Sequence, residues 1–172
     1  LSLCRLPETR RISSENMSPI QYAALNGCIQ SFDYLLSLKA QTDKDVEGWH
    51  LIHLSLAHSI FSSKQEKCVN MFKYIYKKLP EQRNLVDRLG RTFLHIIFEY
   101  DFDQALDGIN VQMYDLCQED NNGDYVINYT YIYNYNQCFW KIAKDPKFLA
   151  QIYLKIREKF HNYQMNLNMI LF

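Results

Sequence analysis

One short pattern recurs in this chain and limits what it can fold into. Asp, two residues, then Gly, followed by an apolar run ending in His, occurs at Asp45–His53 and at Asp87–His95. A third copy, Asp120–Asn128, carries Asn in place of the His. The three Asp residues lie 42 and 33 positions apart. A recurrence near 33 residues predicts stacked repeat units, each too small to bury its apolar face alone and each completed by its neighbours. Such stacks usually bind partners and seldom carry out chemistry.

Composition narrows the class. Hydrophobic residues make up 48% of the 172, which is too many for a disordered chain and enough for a core. Lys plus Arg and Asp plus Glu balance at 19 each, so no net field draws nucleic acid or a membrane. Five Cys, an odd number with no close pairs, predict free thiols in a reducing compartment. The expected location is intracellular: the cytoplasm, with the nucleus as an alternative. No apolar run reaches the roughly 18 residues of a spanning helix, and no signal peptide is visible. The first residue is Leu1 and the last four, Met169–Phe172, are apolar, so both ends read as cut from a longer chain.

Ser18-Pro19 is a helix-start signal, since Ser caps free N–H groups and Pro suits the first helical position. Ile20, Ala23 and Ala24 follow, and Gly27 suits the left-handed residue that ends such a helix. Phe32, Tyr34, Leu35 and Leu36 form the apolar part of a second helix. Phe32-Asp33-Tyr34-Leu35-Leu36 aligns with Phe72-Lys73-Tyr74-Ile75-Tyr76. Gly27 to Phe32 is five residues and the equivalent Ser59 to Phe72 is 13, so eight residues are inserted around Phe61–Lys67. Insertions of this kind map to loops on one face of a stack.

Ser18-Pro19-Ile20-Gln21-Tyr22-Ala23-Ala24, Gly27, Leu35-Leu36 and Ala40 resemble an ankyrin repeat nearly position for position. Gly48-Trp49-His50-Leu51-Ile52-His53 is similar to that family's Gly-x-Thr-Pro-Leu-His, as is Gly90-Arg91-Thr92-Phe93-Leu94-His95. Gly123-Asp124-Tyr125-Val126-Ile127-Asn128 is the weakest copy. The resemblance covers about residues 16–135. It implies an all-α ankyrin-repeat solenoid of about four helix-pair units with hairpin loops, at 16–47, 48–89, 90–122 and 123–137 onward. Residues 1–15 would be a linker or the edge of a preceding element. Residues 138–172 would be a C-terminal cap or a partial further repeat, with a helix starting at Asp145-Pro146. Phe148, Leu149, Ile152, Tyr153, Ile156 and Phe160 give that helix an apolar stripe.

Two segments stay open. The second helix of the third unit is either Phe102–Leu106 or Val111–Leu116. In Tyr125–Tyr135, Tyr falls at nearly every second residue, which favours a strand; the repeat phase favours a helix, and stacking overrides propensity.

The chemistry-bearing residues are few. The resemblance implies a structural role for His53 and His95, each tying one loop to the next. His58 and Cys68 lack the paired spacing of a zinc site. With five Gly in the chain there is no phosphate-cradling loop, and the scattered carboxylates form no acid–base pair. The expectation is no enzyme, no cofactor and no metal. Asp and Gly of the repeated pattern read as turn residues. Trp49 follows the tip Gly, a position the repeat leaves exposed. It is either a binding hot spot or a packing residue against the adjacent hairpin. Matching to the family, the contact residues for a protein partner are Tyr22, Asn26, Glu47, Trp49, His58, Arg91, Glu99, Tyr100 and Asp124. The expected function is protein–protein recognition through hairpin tips and first helices. Alternatives are a regulatory or targeting segment of a larger enzyme, channel or microbial effector, and an inhibitor-of-κB-like protein that sequesters a Rel-type transcription factor. Phe93-Leu94-His95 and the long second-unit loop resemble that last subfamily.

Overall fold

A computed structural model describes residues 17–43, 48–57, 65–129, 137–146 and 149–158. These residues are helical and contain no strand; one antiparallel bridge joins Glu119 to Tyr125. The chain divides into two compact units, Leu1–Phe93 and Leu94–Phe172.

The first unit holds two helix pairs. Helix α1 (Pro19–Leu25) begins at the expected Ser18-Pro19, and the Gln21 side chain accepts the Ser18 N–H at 2.7 Å. It ends in a Schellman turn: the Cys28 N–H reaches the Ala23 carbonyl at 3.0 Å and the Gly27 N–H the Ala24 carbonyl at 3.3 Å. Helix α2 (Ile29–Ser37) turns back against α1. Helices α3 (Leu51–Ala57) and α4 (Gln65–Lys78) form the second pair, and α3 also packs on α1. Every residue of α3 is buried. A 3-10 turn, η1 (Pro80–Asn84), follows α4. The aligned Phe32 and Phe72 are both fully buried. Between the second helices, the Tyr74 hydroxyl donates to Asp33, which pushes the phenol up to about 12. The Phe32 and Tyr74 rings meet edge-on at 6.2 Å. Of the expected insertion, 65–67 belongs to α4, which therefore runs to 14 residues; the remainder, with Glu47 and His58, lies outside the described residues.

Helix α2 also ends in a Schellman turn, with the Ala40 N–H on the Leu35 carbonyl at 3.1 Å, but here the left-handed residue is Lys39 (φ 58°). An L-residue in that region costs roughly 1–2 kcal/mol, part of which Gly returns as unfolded-chain entropy. Lys39→Gly should therefore stabilise the fold by about 0.5–1 kcal/mol, read from the urea midpoint. Asp101 (φ 53°) occupies the matching place after the helix Phe93–Glu99, yet Asp101→Gly should give no gain. Its carboxylate caps a later helix, accepting the N–H groups of Cys138 at 2.8 Å and Gln137 at 3.3 Å.

The second unit opens within α5 (Phe93–Glu99), whose residues are all buried. Neither expected second helix of the third repeat is an α-helix. Asp103–Leu106 (η2) and Val111–Met113 (η3) are short 3-10 turns. Helix α6 (Gln137–Ala143) seats on η2, where Lys141 donates to the Asp103 carbonyl at 2.8 Å and pairs with Asp107 at 2.5 Å. Burial alone would lower the Lys141 ammonium; the bonds to Asp107 and Asp103 outweigh it and raise it. In the Tyr-rich stretch, Tyr125 makes the bridge to Glu119, Asn128 and Tyr129 are helical, and 130–136 lie outside the described residues. The C-terminal helix is present over 149–158. Its inward residue is Ile152, whereas Tyr153, expected on the apolar stripe, is exposed.

Candidate partner-binding surface

The recurring Asp builds the same loop twice. At Asp87 the backbone N–H accepted by the Arg91 carbonyl (2.9 Å) and the Gly90 N–H on the Asp87 carbonyl (2.9 Å) close a tight hairpin. At Asp120 the partners are Asp124 (3.0 Å) and Gly123 (3.0 Å). In each, the carboxylate Oδ1 accepts two backbone N–H groups: those of Leu89 and Arg91 for Asp87, those of Asn122 and Asp124 for Asp120. An Asp side chain replaces a turn's missing backbone acceptor in this way.

The second oxygen differs between the copies. Asp87 Oδ2 takes Arg91 Nε at 2.9 Å, with Arg91 Nη2 at 2.8 Å, and both side chains are buried. Asp120 Oδ2 takes the Tyr129 hydroxyl at 2.7 Å. Burial would raise the Asp120 carboxyl, but the hydrogen bonds from Tyr129, Asp124 and Asn122 together hold it below the usual range. In the same unit, the Tyr129 ring meets the buried His95 edge-on at 5.5 Å.

Trp49 is 2% exposed, so the exposure that suggested a contact role is absent and the packing alternative holds. The Arg91 guanidinium stands 5.3 Å from its ring centre, and the His53 ring lies nearly perpendicular to it with centroids 6.4 Å apart. The indole thus packs against a side chain of the Asp87 hairpin. His53 is fully buried; its ring nitrogens make no hydrogen bond of strict geometry, but the Leu85 backbone, in the loop that leads to the Asp87 hairpin, acts on the imidazole. Burial is the main force pushing its imidazole down, to about 3; Asp87 and the nearby Leu85 backbone oppose, while His50 and Arg91 add.

The other proposed contact residues scatter. Tyr22 is 54% exposed on α1, and Asn26, one turn on, is half-buried with its amide on the Tyr22 carbonyl at 2.9 Å. Arg91 and Glu99 are buried, which removes them from a contact surface; Tyr100 and Asp124 are half-buried. Outside the family-matched set, Tyr34 on α2 and Leu38 at its C-cap are 65% and 60% exposed, and Trp140 on α6 is 62% exposed. The Tyr34–Leu38 pair was legible as an i, i+4 apolar pair about 200–240° round the helix from Phe32.

Among the described residues no three metal-ligating side chains converge, and no helix is long and apolar enough to cross a membrane. No family model matches the chain, and it has no match among the curated proteins or the solved structures.

Proposed function

We propose that this chain is a divergent ankyrin-type stack that recognises a protein partner through its hairpin loops and first helices. The observation that carries the reading is the repeated loop: Asp87 and Asp120, 33 residues apart, make the same set of backbone bonds. The packing of α1 on α3, each with its own second helix, supports it. With Trp49 buried, Tyr22 becomes the leading contact residue, since an exposed Tyr on a rigid helix gives large contact area at low entropic cost.

The test immobilises the full chain and quantifies captured proteins by mass spectrometry. Tyr22→Glu should reduce capture of specific partners by about 30-fold or more in affinity, the loss of a hot spot. Tyr34→Glu, on the second helix, should leave the same partners bound. An identical captured set from both variants and wild type would overturn the proposed surface.

A further inference from the structure

The Trp49–His53 cluster has a property that a packed core does not require. The indole meets the His53 ring at 6.4 Å and lies under the Arg91 guanidinium at 5.3 Å, and the His50 ring lies tilted against His53 at 5.8 Å. The imidazole is wholly enclosed, with no partner of good geometry at Nδ1 or Nε2. The charged and titratable groups acting on it are Asp87 and Arg91 of the hairpin and its neighbour His50. Helix α1 carries no charged residue, and the buried face of α4 offers the Cys68 thiol and no charge; η1, which also packs on α3, carries Glu81, which is exposed, and Arg83, which donates to the Tyr76 carbonyl at 2.8 Å. The one facing carboxylate, Asp87, is already filled by the N–H groups of Leu89 and Arg91 and by the Arg91 side chain. An imidazolium here would bring two donors and a positive charge beside a guanidinium, where the Leu85 backbone and an already bonded Asp87 offset only part of the cost of burial.

We propose that this cluster is an acid-sensitive latch: protonation of His53 expels it from the pocket and releases Trp49, so that a buried indole becomes an exposed contact residue. The direction follows from linkage. An opened imidazole protonates near its ordinary 6.5, whereas the enclosed one resists to about 3. The closed form is therefore fully favoured above about 6.5. Each pH unit below that multiplies the open-to-closed ratio by up to about tenfold, until about 3.

The chain has two Trp, so Trp140→Phe leaves Trp49 as the sole indole. Acrylamide quenching of Trp49 would be followed from about pH 7.5 to about 4, alongside far-ultraviolet circular dichroism and imidazole proton NMR. The expected result is a severalfold, reversible rise in quenching with the helical signal retained, at the same midpoint as the His53 resonance. His53→Gln in this background should hold quenching constant across the range. Trp49 protected throughout, Trp49 exposed only as helix is lost, or different midpoints for indole exposure and His53 protonation would each overturn the latch. The midpoint comparison uses the native His53, so it decides even where His53→Gln fails to fold.

Discussion

Arg91→Ala should lower the unfolding free energy by about 3–5 kcal/mol, seen as a fall in the urea midpoint. The Asp87 carboxylate and the Arg91 side chain are both buried, and Arg91 brings two nitrogens to one carboxylate oxygen. Truncation leaves a buried anion with only its two backbone donors, and that desolvated charge is the main cost. It also removes the cation from the Trp49 face. Arg91→Lys should fall between the two, because an ammonium keeps the charge but cannot both pair with Asp87 and lie flat over the indole. The double variant Asp87→Ala/Arg91→Ala should lose less than the sum of the singles. Strict additivity, or a loss under about 1 kcal/mol for Arg91→Ala, would mean that the pair behaves as a surface salt bridge.

Gly48→Ala should cost about 2–4 kcal/mol and Gly123→Ala about 1–2 kcal/mol. Both glycines close a copy of the recurring pattern, and both have positive φ, 81° and 80°. That conformation alone sets the smaller cost. At Gly48 an added Cβ would also lie 2.5 Å from the Arg88 Cβ and 3.0 Å from the Arg88 backbone nitrogen. The loops must therefore separate, and the Trp49 clamp loosens with them. At Gly123 nothing lies within 4 Å of such an atom. Equal losses at the two sites, measured by urea denaturation, would show that the close approach at Gly48 carries no energy.

Much of the first unit was legible. Ser18-Pro19 starts α1, Gly27 ends it, and the aligned Phe32 and Phe72 are both buried. These features depend on local backbone preference and helical period, which short stretches of sequence encode. The second unit was less legible. Asp103–Leu106 and Val111–Met113 each carry enough apolar residues to read as a helix, yet both form single 3-10 turns. Asp101 shows why local pattern fails there. It stands where a helix-ending Gly would be expected, because its carboxylate serves the N–H groups of Gln137 and Cys138, 36 and 37 residues away. The proposed contact residues fared differently for the same reason. Tyr22 is exposed, whereas Trp49 and Arg91 turn inward.

The sequence by itself determined the recurrence of Asp-x-x-Gly, the turn chemistry of its Asp and Gly, and the helical starts and stops of the first unit. These are properties of a few adjacent residues and their backbone angles. Tertiary structure alone decided where each second carboxylate oxygen goes, to Arg91 in one copy and Tyr129 in the other. It also decided that Trp49 faces Arg91 and His53 rather than solvent. Exposure and charge partnership depend on what the next hairpin brings within a few ångströms, and residue spacing along the chain does not specify that distance.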